Sequence, residues 1–371
     1  MNYLLYYALP FVAVLGILIF FHEFGHFLMA KYFGVKVLKF ALGFGPRLLW
    51  KKIGETEYSI RYLPLGGFVK MLGEDIEDET SKDLSPEEAA RAFNHQHTLK
   101  RMAIVAAGPI FNLVLALIIF CGIYLISGIY IRLPEIGKVM ENSPASKAGL
   151  RKGDVIQSIQ DKEINNWFEI LGLVQDKAGI PLNITVKRGD KFLAFTVIPK
   201  EEKTKNIFGE EVKSARIGIS DAAKFKKIKL NPWEAIKEGV HKAWEVIELT
   251  FVVIGKLFQG TLPFKSLGGP VKIAQMTGQV ARENVGALFP FMAVISIGLG
   301  IFNLFPIPIL DGGVIAFLFI ELLTGKPLSL KKAEFAQKVG LALLVLLMLI
   351  VTYNDLAGIE NVKKFFEKLF G

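Results

Sequence analysis

Apolar residues in this chain gather into four long runs separated by polar or mixed stretches. Leu4 to Ala30, Met102 to Ile126, Ala287 to Leu310 and Phe335 to Tyr353 are each long enough to cross a hydrocarbon core of ~30 Å as a helix. A shorter run, Val246 to Phe258, contains Glu248 and Lys256 and reads as part of an amphipathic helix, either lying on the membrane or packed under a domain. After the first run, Val35 to Trp50 and Tyr58 to Met71 have strand character and are joined by Lys51 to Glu57. After the second run, short strands alternate with the turn Gly149 to Asp154 and a helix near Trp167 to Ala178. The pattern predicts a polytopic α-helical membrane protein of four spans, with a β element in the first loop that dips toward the membrane and an inserted α+β domain in the second.

Composition agrees. Of 371 residues, 52% are hydrophobic, which suits a multi-pass protein with soluble parts rather than a soluble enzyme. The net charge of +9 changes the picture through its placement. Lys31, Lys36, Lys39, Arg47, Lys51, Lys52 and Arg61 crowd the loop between the first two spans, which marks that loop as cytoplasmic and Ser127 to Gly286 as external. The surplus suits contact with anionic membrane lipid and implies no nucleic-acid partner. Cys121, the sole cysteine, lies within the second run, so the external domain has no intramolecular disulfide. The first run is too long, and lacks the basic start, for a cleaved signal peptide; it is expected to be retained.

That first run is interrupted by His22-Glu23-Phe24-Gly25-His26. Residues four apart share a helix face, so His22 and His26 offer two imidazole nitrogens to one metal, with Glu23 beside the open position. A charged residue at mid-bilayer costs about 2.5–3.5 kcal/mol, so function is the default reading of Glu23; interfacial histidines with a snorkelling glutamate are the bland one. A zinc site of this kind needs a third protein ligand. Asp311 is the candidate: Pro306 and Pro308 take the chain out of the third helix just before it, and Gly312-Gly313 follow. The competing role for Asp311 is a helix N-cap.

His22-Glu23-x-x-His26 together with Asn303-x-x-Pro306-x-Pro308-x-Leu310-Asp311-Gly312 resembles the paired signature of the site-2 protease family of intramembrane zinc metalloproteases, in its bacterial RseP-like branch. The resemblance extends through Gly108-Pro109-Ile110-Phe111-Asn112 in the second span. It implies Zn2+ held by His22, His26 and Asp311, Glu23 as the catalytic glutamate, and Asn303 holding substrate backbone. An inter-span hydrogen bond is the structural alternative for Asn303.

A substrate helix must unwind before its carbonyls can be attacked. Gly43, Phe44 and Gly45 in one strand and Gly66 and Gly67 in the other mark places where a substrate strand could pair closely, an ordinary hairpin being the alternative. In the resembled family this region is a membrane-associated β element on the cytoplasmic side. Ser143-Pro144-Ala145-x-x-Ala148-Gly149-Leu150 resembles a PDZ domain, with Ile136, Gly137 and Val139 as the expected peptide groove. Peptide capture and steric gating are both open. His95 and His97 read as loop histidines.

The expected organisation is a first span to residue 34, a β-rich loop to 100, a second span to 130, a PDZ-like domain over 131–203 and an amphipathic segment over 204–286. A third span follows to 310, then a zinc-ligand loop to 334, a fourth span to 354 and a tail. The expected function is an intramembrane endopeptidase of a bacterial inner membrane, its site toward the cytoplasm and its PDZ-like domain periplasmic. Its substrates would be single-span membrane proteins, such as trimmed anti-sigma factors or remnant signal peptides, cut in regulated intramembrane proteolysis. The alternatives are a catalytically silent PDZ-containing scaffold and an ion path through Glu23 and Asp311.

Overall fold

The structure, a computed structural model, describes residues 2–74, 84–206, 208–263 and 268–357. The acidic stretch Glu74 to Glu88, which lacks apolar periodicity and reads as a solvated loop, falls mostly outside them, as does nearly all of the expected tail. In chain order the elements are α1 (Asn2–Tyr32), β1 (Val37–Ile53), β2 (Thr56–Met71), α2 (Pro86–Ala90) and α3 (Thr98–Ser127). Then come β3 (Ile129–Arg132), β4 (Ile136–Val139), α4 (Pro144–Ala148), β5 (Val155–Ile159), β6 (Lys162–Glu163), α5 (Trp167–Val174), β7 (Leu182–Arg188), β8 (Lys191–Val197), β9 (Lys200–Lys205), β10 (Glu211–Arg216), β11 (Ile219–Asp221) and β12 (Phe225–Ile228). The chain closes with α6 (Pro232–Phe258), α7 (Pro270–Glu283), α8 (Leu288–Asn303), α9 (Asp311–Thr324) and α10 (Leu330–Ala357). Two compact units result, one of residues 1–123 with 236–371 and one of residues 124–235.

In the larger unit, α1, α3, α8 and α10 are the four described helices long and apolar enough to cross a membrane. Glycines let two of them approach closely: a Cβ at Gly25 of α1 would stand 3.0 Å from Cβ of Phe111 on α3. The third apolar run leaves the helix at Asn303, as its prolines require, and crosses Leu304–Leu310 in tight turns such as Leu310 N–H to the Ile307 carbonyl at 2.8 Å. Beyond it the expected loop is instead a helix. Gly312 and Gly313 lie in the first turn of α9, where any Cβ would overlap the backbone carbonyls of Leu304, Phe305 and Ile307. Near its far end, Glu321 pairs with Arg101 at the start of α3.

The strands β1 and β2 meet through a two-residue turn, Gly54-Glu55, tighter than the expected seven-residue link. Leu42 pairs both with Gly67 and with Ile60, and Phe40 both with Val69 and with Tyr58. Residues 37–42 therefore run between two segments of β2, and 67–71 forms an edge. Val37, Phe40, Val69 and Met71 bury one face against Ala30, Ile104 and Leu318.

The ambiguous run Val246 to Phe258 is the second half of α6, one amphipathic helix of 27 residues. Its small buried face includes Ala235, Ala243 and Val246, and Gly239 lies against Cys121 of α3. Trp233, Val240, Trp244 and Phe251 form an exposed apolar stripe beside it. Helix α7 packs on α1, with Gly278 over the ring of Tyr7.

The smaller unit is built on a sheet of order β6-β5-β7-β8, with Trp167 and Ile170 of α5 packed against Ile156, Ile159, Ile184 and Val186. It extends past the expected limit at residue 203, since β9 pairs β10, β11 pairs β4 and β12 pairs β3. The expected amphipathic segment thus begins only at α6. The expected groove at Ile136, Gly137 and Val139 is also displaced. Ile136 is fully buried, Gly137 is closed in by the backbone of Asp221 and Ala222, and β4 is paired along Ile219–Asp221. A cavity of about 320 Å³ lies instead between α5 and residues 214–219, with Trp167, Leu171, Arg216 and Gly218 among its walls.

Candidate metal centre

The helical period of α1 places His22 and His26 one turn apart, and the turn entering α9 brings Asp311 to them. His22 Nε2 lies 3.2 Å from His26 Nε2 and 3.2 Å from Asp311 Oδ2, and His26 Nε2 lies 3.6 Å from Asp311 Oδ1. These three residues form the one His/Cys/Asp/Glu group among the described residues whose ligand atoms converge on a common point. Tetrahedral zinc with ligands at about 2.05 Å requires ligand atoms about 3.3 Å apart, close to the observed spacing. Two imidazoles, one carboxylate and a fourth open position are also the donor set of a catalytic rather than a structural zinc. The residues present fit the metal.

The surroundings prepare these donors. His26 Nδ1 lies 3.0 Å from the carbonyl of Ile104, which can accept only if Nδ1 carries the proton; Nε2 is then free to ligate. Both rings fit because residue 108 is glycine: a Cβ there would overlap the His26 ring and stand 2.9 Å from Cε1 of His22. Asn112, one turn further along α3, is 2% exposed and places Nδ2 3.4 Å from His22 Nδ1. Sequence reasoning gave no role to Gly108 or Asn112, although an asparagine inside an apolar span was a visible signal.

Glu23 stands beside this trio. Its Cγ is the atom a Cβ at Gly67 would meet at 2.9 Å, so the edge segment 67–71 runs next to the carboxylate-bearing side chain. Of the glycines expected to admit a substrate strand, Gly43, Gly45 and Gly66 have φ of +90°, +84° and +104°, a region that favours glycine. Phe44 covers Gly66, and Gly45 accepts a hydrogen bond from Arg61 at 2.9 Å. Gly43 and Gly66 line a mostly apolar groove of about 460 Å³ whose other wall is Gly16, Ile19 and Phe20 of α1. Asn303 ends α8, half-buried. His95 and His97 are engaged locally, by the Ala89 carbonyl and the Leu99 N–H respectively, as loop histidines would be.

Comparison with known proteins gives a consistent picture. Residues 10–347 match peptidase family M50. A protein of Agrobacterium fabrum, provisionally named a zinc metalloprotease, is 36% identical over 365 residues, covering 95% of this chain and 96% of its own. One of Clostridium acetobutylicum with the same kind of name is 37% identical over 344 residues, 93% of this chain and 95% of its own. The regulator of sigma-W protease RasP of Bacillus subtilis is 33% identical over 421 residues, 94% of this chain and 98% of its own.

Proposed function

Because the chain belongs to peptidase family M50, we propose that it cuts the transmembrane segments of single-span membrane proteins at His22, Glu23, His26 and Asp311. It is an intramembrane zinc protease. The observation that carries the residue assignment is the convergence of His22 Nε2, His26 Nε2 and an Asp311 oxygen at 3.2–3.6 Å, the two histidines standing on α1, a helix long and apolar enough to cross a membrane.

Zinc, when bound, supplies a Lewis acid for the scissile carbonyl and lowers the pKa of water from 15.7 toward about 7. The protein's own groups do the rest. Glu23, beside but outside the ligand trio, takes the proton from the attacking water and delivers it to the departing amide nitrogen. The Asn303 amide donates to the substrate carbonyl as charge develops on its oxygen. An unwound substrate finds replacement backbone partners along the edge 67–71, and the apolar groove between α1 and the strands receives its side chains. Basic residues between α1 and α3 support a cytoplasmic side for that loop, and for the catalytic residues near it, in a bacterial inner membrane. Residues 124–235, a PDZ-like insert between α3 and α6, then lie on the opposite, external face. The insert admits substrates already shortened outside. The Bacillus relative's name ties it to sigma-factor regulation; a membrane-anchored regulator of that kind suits this site.

Quantitative mass spectrometry of membrane proteins tests the reading, with cells carrying the wild type compared against cells carrying Glu23→Gln. Trimmed single-span fragments should accumulate in the variant. Identical membrane proteomes would overturn the substrate class.

A further inference from the structure

We propose that Asn112 is the positioning residue for His22: its side-chain carbonyl Oδ1 faces the ring, accepts the Nδ1 proton and so presents Nε2 to the metal. The inference rests on the reading of His22, His26 and Asp311 as ligands and extends it to the residue that orients one of them.

Three observations carry it. Asn112 is 2% exposed and its amide is 3.4 Å from His22 Nδ1, within hydrogen-bond reach of a ring nitrogen that also lies near the Gly108 backbone. As placed, the amide turns Nδ2 toward the ring and leaves Oδ1 buried with no partner. That arrangement conflicts with ligation. A ring that accepts at Nδ1 carries its proton on Nε2, the atom 3.2 Å from both His26 Nε2 and Asp311 Oδ2, and a protonated nitrogen has no lone pair for a metal. The two ends of an asparagine amide are alike in shape and are assigned by their hydrogen bonds. Turning the amide over removes the conflict, because Oδ1 then accepts from Nδ1–H and Nε2 is bare.

The layout of α3 supports the same conclusion. Ile104, Gly108 and Asn112 are spaced four apart, so they lie on one face of the helix. In order they supply an acceptor for His26, clearance for both rings and an acceptor for His22. The backbone at Asn112 is itself fixed: its carbonyl accepts from Ser296 Oγ of α8 at 2.7 Å.

The test is zinc affinity, measured by competition with a fluorescent chelator on the full-length protein in detergent. A Glu23→Gln background prevents turnover, so activity plays no part in the readout. Asn112→Leu, which keeps the volume and removes the acceptor, should weaken zinc binding about 10–100-fold. Asn112→Asp, which offers an acceptor whichever way it is turned, should bind zinc within about threefold of the parent. Unchanged affinity in Asn112→Leu would overturn the proposal. So would a loss in Asn112→Asp of 10-fold or more, which also decides the matter if the leucine variant fails to fold. A parent protein that binds no zinc would instead sink the ligand assignment itself, which separates the two failures.

Discussion

Gly108 of α3 and His26 of α1 are packed so closely that the space a Cβ would take at position 108 is already filled by the imidazole ring. The helix crossing that builds the candidate metal centre therefore depends on the absence of a side chain as much as on His22, His26 and Asp311. Gly108→Ala should push both histidines out of register. Interiors transmit such strain rather than absorb it, and second-layer changes at metal sites cost about 10–100-fold in affinity or activity. Zinc content and proteolysis of Gly108→Ala should fall together by about that factor; full zinc occupancy would show that the crossing relaxes.

Glu23 and the ligands should separate cleanly by substitution. Glu23→Gln is expected to abolish cleavage while zinc stays bound, because the side chain handles protons without touching the metal. His22→Ala or Asp311→Asn should lower both zinc content and activity. Unchanged zinc in Asp311→Asn, measured by elemental analysis of the purified protein, would make Asp311 a helix-start residue only.

Gly67 offers a subtler probe. An alanine there meets Glu23 Cγ and Ile19 Cγ2 at 2.9 Å, with the Ala41 carbonyl at 3.0 Å on the other side, so neither the strand nor the glutamate can hold its place. Gly67→Ala should reduce kcat at least about tenfold, the scale on which small misplacements act in catalysis, with zinc content unchanged. Loss of zinc would mean that the edge segment supports the ligands rather than the glutamate.

The sequence made the metal centre legible because its signals are local. The 3.6-residue period pairs His22 with His26, and Pro306 and Pro308 announce the break that delivers Asp311. What stayed hidden depends on distant pairing. Nothing near Ile136 says that β4 is taken by residues 219–221, about eighty positions away, so the strand looked like an open groove. The packing role of Gly312-Gly313 was hidden too, because glycine gives the same local signal for flexibility and for close packing; only the carbonyls of Leu304 and Ile307 against them distinguish the two.

The turn of the β element is held by Glu55, which bonds Lys31 Nζ and an Arg91 guanidinium nitrogen at 2.7 Å each. The hydrogen bond from Arg91 comes first among the causes that hold its carboxyl down to about 2, followed by that from Lys31. A carboxylate with a depressed pKa contributes stability above its ordinary value near 4.3 and loses it as pH falls toward 2. Between pH 5 and 8 the hairpin should therefore show no pH dependence from this group. Glu55→Gln should loosen it by about 0.5–1 kcal/mol, as for partly exposed ion pairs. Hydrogen exchange over residues 48–60 at pH 7 checks this, and unaltered exchange in the variant would show that the turn stands without the bridge.

In the smaller unit, Asp154 and Arg188 make an ion pair at 2.7 Å. Asp154 is fully buried, which by itself would push its carboxyl up, yet two hydrogen bonds from Arg188 at 2.7 and 2.8 Å, with one from the Arg151 N–H, hold it below the ordinary range. Asp154→Asn removes the charge that Arg188 pairs with, leaving the half-exposed guanidinium its bond to the Gly149 carbonyl, and should cost about 1.5–3 kcal/mol. Limited proteolysis of the full-length protein should then cut within residues 124–235 far faster than in the wild type; equal rates would mean that the pair is replaceable.

The insertion can be removed at a point the pairing itself defines. Ile129 pairs with Ile228 and Arg132 with Phe225, so the chain enters and leaves the smaller unit side by side. Paired strands lie about 4.8 Å apart, a gap that a few glycine and serine residues joining Gly128 to Lys229 can bridge. Removing only the expected 131–203 would instead strip β11 and β10 of their partners β4 and β9 and leave unpaired strands behind. If the insert excludes bulky ectodomains, the clean deletion keeps zinc and cleaves substrates that still carry a folded external domain, with selectivity lost rather than activity. Equal loss of cleavage for trimmed and untrimmed substrates, in a deletion that still binds zinc, would point to active delivery of a peptide through the cavity beside α5. Arg216→Ala and Leu171→Ala, which alter that cavity without touching the metal centre, would then reproduce the loss.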